Sequence, residues 1–453
     1  MPLRGILLMV FFVGSIPVCF VRPFYGILLW SIVAFLNPQA YTWSAAAEFP
    51  WAMAVAIPTL LGLLLFARNW RGLISREVGL EVALWVWFTI TSIVSTHTPL
   101  FQHHAADTWY RWGFVSKILL MAVVTVPIVN TFERLRMLLL VIAGCFGAFV
   151  LKTLPFVIAT GGVFRLYGPP NSMIADNNDF GLALNMTLPL FFFLAQTESR
   201  PWVKRVFMVL FLATIPAIFF TYSRGALVGL VVLAVMMFLQ LRQRLLLVPV
   251  FVLALGVVAI FAPQSWKDRM DPTRADAVDV SARSRINAWT FSWRLANDYP
   301  IAGGGFATFT PELFEVYAPR TRDLHGPHSI YFQILAEHGF VGLFLFLMLV
   351  LSCFASMRRV IKLGRRSRDR ELVNYAHMLW FSIVGFLVSG LFLGRAYFDY
   401  FYAIVACVVV LKRVALTERM EDSETEESDL DSEADREPDD VVLPAAGRAL
   451  WAR

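Results

Sequence analysis

The sequence predicts an all-α protein that crosses a membrane many times, and three observations carry that prediction. Of the 453 residues, 58% are hydrophobic and only 16% charged, against about 25% charged in soluble domains. Mean hydropathy is +0.63, and 40 Phe and 14 Trp add to the apolar content. Apolar stretches near the length of about 20 residues needed to span a bilayer recur along the whole chain.

Candidate spans fall near 51–67, 78–95, 114–130, 135–158, 179–196, 204–221, 225–241, 245–262, 329–356, 372–393 and 397–412. The segment 3–38 reads either as two short helices broken at Val21-Arg22-Pro23 or as one crossing plus a re-entrant piece. The first reading gives 13 spans and the second about 12, one crossing per apolar stretch. No small-residue cleavage site follows the first apolar segment, so it reads as a span and not as a cleaved signal. The four cysteines, Cys19, Cys145, Cys353 and Cys407, all lie in apolar segments and read as small core residues.

Arg and Lys in short loops predict orientation. Arg68/Arg71/Arg76, Arg134/Arg136, Arg200/Lys204/Arg205, Arg242/Arg244 and the run from Arg358 to Arg370 mark cytoplasmic connections. The alternating connections 96–112, 159–178, 222–224, 263–328 and 394–396 then face outward. The loop 263–328 is the long one, and the helical spacing of Arg285, Trp289 and Trp293 predicts an amphipathic helix on the outer membrane face. The segment 99–112 reads as a second interfacial helix.

The net charge of +6 hides an asymmetry. Between Glu418 and Asp440 lie 13 acids and two bases, which leaves 35 bases and 20 acids up to residue 417. The expected division is a membrane domain over 1–415 and an acidic, disordered cytoplasmic tail over 416–453.

Three pieces carry candidate chemistry. Arg224, in Thr221-Tyr222-Ser223-Arg224-Gly225-Ala226, sits where one apolar stretch ends and another begins. A permanent cation at membrane depth costs roughly 2.5–3.5 kcal/mol or more, so it calls for an anionic or polar partner. Snorkelling to the interface is the competing reading, but Gly225 and Ala226 leave space beside the guanidinium, and Tyr222 and Ser223 add hydroxyls for a ligand. Arg285, with Arg283 beside it, lies on the expected loop helix, where a solvated face is the plain alternative. Trp289 would anchor that helix in the interface, and Gly303-Gly304-Gly305 would let backbone approach a sugar or a phosphate. His325-Gly326-Pro327-His328-Ser329 opens the next span. With Pro327 between them and Asp323 as the one nearby carboxylate, the two histidines do not make a metal site. His328 suits a general base, with helix capping as the alternative. The polar segment 165–179, with Asn178, suits sugar binding, although a capped helix start explains Asp176 to Asp179 equally well. Arginines at a membrane face suit a phosphate ester, so these residues point to a membrane enzyme acting on a lipid-linked phosphate.

In these residues the chain resembles the O-antigen ligase and polymerase superfamily of bacterial envelope glycosyltransferases. The matching pieces are Ser223-Arg224-Gly225-Ala226, then Arg285 four before Trp289 with Pro300 and the glycines following, then His328-Ser329 leading to Ala336-Glu337-His338-Gly339. The start, Arg22-Pro23-Phe24-Tyr25-Gly26 through Asn37-Pro38, is similar to exosortase-associated O-glycosylation ligases. His338 departs from the family, where a threonine or similar residue is common before the glycine. The resemblance implies a GT-C-like helical fold in the bacterial inner membrane with its active site facing the periplasm. It implies transfer of a polysaccharide from undecaprenyl pyrophosphate to a sugar hydroxyl of the lipid A core, inverting and metal-independent, with no cofactor. Arg224 and Arg285 would hold the pyrophosphate, His328 would act as base, and His325, Arg283, Tyr222, Ser223 and Asn178 would contact substrate. Membrane lipids are the other expected partners, and nucleic acid is not one. An O-antigen polymerase and a protein O-oligosaccharyltransferase are the nearest alternatives, and a transporter or flippase is the alternative of another class.

Overall fold

The computed structural model describes residues 3–42, 45–66, 70, 73–240, 256, 263–270 and 275–434. Within them the chain is helical, without strands. Nine helices among the described residues are long and apolar enough to cross a membrane, and three shorter apolar helices, Pro23–Leu36, Trp51–Phe66 and Arg224–Leu239, accompany them. The fold is the polytopic all-α architecture that the sequence predicts. The span expected at 245–262 lies outside the described residues, apart from Gly256.

Helix starts follow local chemistry. Ser75, Thr131 and Asp369 each accept a backbone N–H three residues on, at 3.3, 3.3 and 2.9 Å. Side-chain acceptors at this position satisfy donors that the first turn leaves unpaired. Pro23 and Pro201 open their helices, where a missing N–H costs nothing.

Residues 3–38 make two antiparallel passes. The helix Leu3–Val21 runs parallel to Trp51–Phe66: Gly5 lies against Ala46, Phe12 packs on Trp51 at 5.2 Å and Phe20 on Phe66 at 5.5 Å. The chain breaks at Arg22 and returns through Pro23–Leu36, with Gly26 against Thr59. Leu3 and residues 37–42 and 45–50 therefore share one face.

At the opposite face the basic connections meet. Lys412 Nζ lies 2.5 Å from Glu77 Oε2, and the Ser352 and Ser356 hydroxyls donate to Glu77 Oε1 at 2.8 and 2.6 Å. Arg136 pairs with Glu198 at 2.7 Å, and Arg413 donates to the Val129 carbonyl at 3.1 Å.

The helix Asn177–Thr197 is the centre of the bundle and is buried on all sides. Lipid tails are as apolar as its leucines and phenylalanines, so close packing and hydrogen bonds, and not water exclusion, hold it there. Asn185 Nδ2 donates to the Ala226 carbonyl at 2.8 Å and to Ser389 Oγ at 2.9 Å. Gly385 lets its helix approach within van der Waals reach of the Asn185 backbone.

Two expectations change. The segment 99–112 is not a separate interfacial helix: a short turn, Pro99–His104, leads into Ala105–Ile128, so Asp107 and Arg111 belong to the first turns of a membrane helix. The last helix runs Asp399–Ala434, so the boundary expected at 415 falls inside a continuous helix.

Candidate active site

At the face that carries residues 37–42 and 45–50, residues from 107–115, 171–179, 307–328 and 393–397 line a cavity of about 1120 Å³. Helices Gln264–Met270, Ala275–Asp298 and Pro311–Tyr317 build the long loop, and Pro311 lines the cavity. His325 and His328 line this cavity, with Asn178.

The helix Ala275–Asp298 positions the histidines. Asn287 Nδ2 donates to the carbonyls of Arg320 and Asp323 at 2.9 and 3.1 Å, and its Oδ1 accepts the Arg320 N–H at 2.9 Å. Ser284 Oγ donates to Asp323 Oδ1 at 3.0 Å, and Asp323 holds His325 Nδ1 at 2.9 Å. Trp289 donates to the Pro327 carbonyl at 2.8 Å and stacks on Phe332 at 5.2 Å. Trp289 thus pins the histidine loop, where the sequence suggested a lipid anchor. Ser284, Asn287 and Trp289 fix that loop while Arg285 points elsewhere on the same helix.

Arg224, Arg285 and His328 come together around Phe392–Gly394. The Arg285 guanidinium lies over the Phe392 ring at 5.8 Å. A Cβ on Gly225, next to Arg224, would lie 3.2 Å from Phe392 Cβ, and one on Gly394 would lie 3.5 Å from the His328 nitrogen. Arg285 is half-buried and makes no hydrogen bond or ion pair among the described residues. Burial, and then the charge of Arg224, weaken its hold on its proton. Burial, and then the charges of Arg285 and His325, lower the His328 pKa from 6.5, so its ring is neutral at pH 7. That ring has no hydrogen bond among the described residues and faces His325 at 6.4 Å between centroids.

Backbone strain collects at the same face. His328, Ala307, Asn171 and Tyr222 have φ of 42°, 60°, 56° and 57°. Such left-handed non-glycine residues cost about 1–3 kcal/mol each and tend to cluster at functional sites.

Other expected contacts prove structural. The Tyr222 hydroxyl donates to the Gly162 carbonyl at 2.8 Å, and Ser223 Oγ accepts the Ala226 N–H at 3.2 Å to cap its helix. Both are buried, at 3% and 2% exposure, so they set the position of Arg224 and do not present hydroxyls to a ligand. Arg283 is exposed and does not line the cavity. Asp176 caps the helix Asn177–Thr197 by accepting the Asn178 N–H at 2.8 Å, so the capping alternative holds there.

Gly303-Gly304-Gly305 is buried against protein and not open to a ligand. The helix Ile330–Arg366 breaks at Gly339, where φ is 67°. The freed groups pair with the loop: Gly304 and Gly305 donate to the carbonyls of Ala336 and Glu337 at 2.8 and 2.9 Å, and Phe340 donates to Pro300 at 2.8 Å. A Cβ on Gly303 would lie 2.6 Å from the Ala336 oxygen, and one on Gly339 2.3 Å from the Ile301 oxygen. Broken helices persist at membrane depth when protein re-satisfies the freed backbone in this way. His338 lies in the core, with Nδ1 2.7 Å from Thr91 Oγ1 and its ring stacked on Phe88.

The cavity also holds charged groups whose pairing the sequence does not display. Arg395 forms an ion pair with Asp179. The Tyr397 hydroxyl donates to Glu337 Oε2 at 2.5 Å, and the Ala307 N–H to Glu337 Oε1 at 3.2 Å. Arg111 adds a further cation to the lining. A carboxylate inside an apolar span, as at Glu337, was the available signal. Among the described residues, no three His, Cys, Asp or Glu side chains gather as a metal site.

Residues 207–347 match the family model described as O-antigen ligase. Over those residues the chain is similar to the O-antigen ligase superfamily, in line with the resemblance seen in its sequence. The stretch matched by the O-antigen ligase model contains Arg224, Arg285 and His328. Residues 3–199 match a family of unknown function (DUF5935). No curated protein matches the chain.

Proposed function

We propose that the chain transfers a glycan from undecaprenyl pyrophosphate to a sugar hydroxyl of the lipid A core, at the periplasmic side of the bacterial inner membrane. One observation carries this reading. The half-buried guanidinium of Arg285 has no hydrogen bond or ion pair among the described residues, and its charged neighbour is a second arginine. A diphosphate is the ligand that two adjacent guanidinium groups suit, through charge-assisted hydrogen bonds in fork geometry.

In the proposed step the acceptor oxygen attacks the anomeric carbon while the bond from that carbon to the pyrophosphate oxygen breaks. The electron pair leaves with the diphosphate, and Arg224 and Arg285 stabilise the charge that develops there. The acceptor proton passes to His328, whose neutral ring can take it. Direct displacement inverts the anomeric centre, and the diphosphate leaving group supplies the driving force without ATP. His325 and Asn178 line the space for the acceptor glycan. In this scheme the transferase occupies residues 1–415, and the acidic tail 416–453 takes no part in the chemistry.

Arg and Lys in the connections at the opposite face support a cytoplasmic assignment for that face. The test is to incubate purified protein with lipid-linked glycan and rough lipopolysaccharide. A size shift of the lipopolysaccharide supports the ligase. Growth of the lipid-linked chain instead makes the protein a polymerase, and flux across vesicles with no transfer makes it a transporter.

A further inference from the structure

A second cavity, of about 430 Å³, lies at the opposite face, between the end of Ile330–Arg366 and the first half of Arg370–Ser389. Arg358, Lys362, Arg365 and Arg366 line one side, and His377 and Trp380 the other. No carboxylate lines it. Arg358, Lys362 and Arg365 recur at helical spacing, so like charges crowd one helix face, an arrangement that is unfavourable in isolation. None of the four cations makes a hydrogen bond or an ion pair among the described residues; Arg358 packs over the Trp380 ring at 5.5 Å.

The other wall is a built donor site. Trp380 is 9% exposed, and its buried indole Nε1 has no hydrogen-bond acceptor. A buried donor without an acceptor is costly, and a bound oxygen would relieve that cost. His377 is 6% exposed and stacks on Phe193 and Phe381, which fixes its ring against the cavity. Arginine, lysine and indole groups donate only. Their ligand must therefore be rich in acceptors and negatively charged, which describes a phosphate group. The wall toward mid-membrane is apolar, with Phe354 against Trp380 at 4.6 Å and Leu351 exposed beyond it.

We propose that this cavity binds the phosphate of an anionic phospholipid, with the headgroup among Arg358, Lys362, Arg365 and Trp380 and the acyl chains along the Phe354–Leu351 wall. A soluble phosphate offers the same oxygens and is the second possible source.

The experiment uses purified full-length protein in phosphatidylcholine bilayers, with and without phosphatidylglycerol, and separately with inorganic phosphate. The readouts are the melting temperature and lipid retention by native mass spectrometry. Phosphatidylglycerol should raise the melting temperature and be retained. The double variant K362Q/R365Q should weaken retention roughly fivefold for each cation removed. Trp380→Phe keeps the ring and drops the N–H, and should weaken retention severalfold. The variant R368Q/R370Q, on the same face but outside the cavity, should retain lipid like the wild type. An equal response to inorganic phosphate supports the site and makes its ligand soluble. Equal lipid loss in R368Q/R370Q and K362Q/R365Q reduces the effect to general surface charge and overturns the proposal. So does unchanged retention in Trp380→Phe, or no response to either phosphate source.

Discussion

Arg285 and Arg395 stand near the same segment, Phe392–Gly394, yet their surroundings differ in kind. Arg395 faces the Asp179 carboxylate, and the two side chains are 33% and 3% exposed. Arg285 faces an aromatic ring and the charge of Arg224. A cation already met by an internal carboxylate has little left to offer a ligand. A cation held near another cation has its strongest interaction still to make. The difference separates an arginine that holds the wall of the cavity, Arg395, from one suited to an incoming anion, Arg285.

The largest expected effect tests the group between these two regions. His328→Ala should lower glycan transfer roughly 10²–10⁴-fold, the range for loss of a general base, with membrane expression unchanged. Full activity in this variant would remove His328 from the chemistry. Next, Arg285→Ala and Arg224→Ala should each lower transfer roughly 10²–10³-fold, in line with loss of a charge-stabilising donor, and Arg285→Ala should leave the melting temperature nearly unchanged. Arg395→Ala should act in the opposite sense. Leaving Asp179 buried and unpaired should cost about 3 kcal/mol or more of stability, read as a lower melting temperature. The double variant with Asp179→Leu and Arg395→Met should recover most of that stability. If Arg395→Ala instead melts normally and fails in transfer, Arg395 contacts substrate and does not hold the cavity wall.

Arg224, Arg285 and His328 stand out in the sequence as candidates for a common reason. Each is a charged or titratable residue placed next to an apolar stretch or an amphipathic pattern, and membrane physics makes such residues costly unless used. The spans were legible because hydropathy is local: the helices Phe132–Thr160 and Pro201–Phe220 start and end within a few residues of the expected limits. Arg395 was not legible, because its meaning depends on Asp179, 216 residues away. The glycines at 303–305 were misread for a related reason. A positive φ at Gly303 is needed equally for a ligand and for another backbone, and only the break at Gly339 shows which one is there. Tyr222 and Ser223 were misassigned because a hydroxyl spent on a carbonyl or a helix cap has the same sequence as a free one.

The docking at Gly339 gives a smaller effect that sharpens the contrast from the cavity side. Gly339→Ala puts a methyl group 2.3 Å from the Ile301 oxygen and forces a left-handed alanine. The backbone alone should cost about 1–3 kcal/mol, and the clash adds to it. The expected outcome is a lower yield of folded protein and a lower melting temperature, with the surviving fraction near normal in transfer per molecule. A large selective loss of turnover at normal stability would mean that the glycine loop meets substrate after all.

The smallest expected effect concerns pH, and it tests whether the charge of Arg285 is felt at His328. Burial is the first cause of the lowered His328 pKa and Arg285 the second. Transfer should therefore fall as pH drops through a value below 6.5, because the base becomes protonated. The stability contribution has the same sign. A depressed pKa means that the fold favours the neutral ring; that contribution is present above the unfolded value near 6.5 and is lost as pH falls through the folded value. Removing the nearby cation should raise the folded pKa. In Arg285→Gln the acid limb of the residual activity should shift upward, toward 6.5, while in Arg395→Gln it should stay in place, since Arg395 is not among the groups that set the His328 pKa. Measurement of transfer against pH in the three proteins decides the matter. An acid limb that stays fixed in Arg285→Gln would separate Arg285 from His328 and break the link between the arginine side and the base.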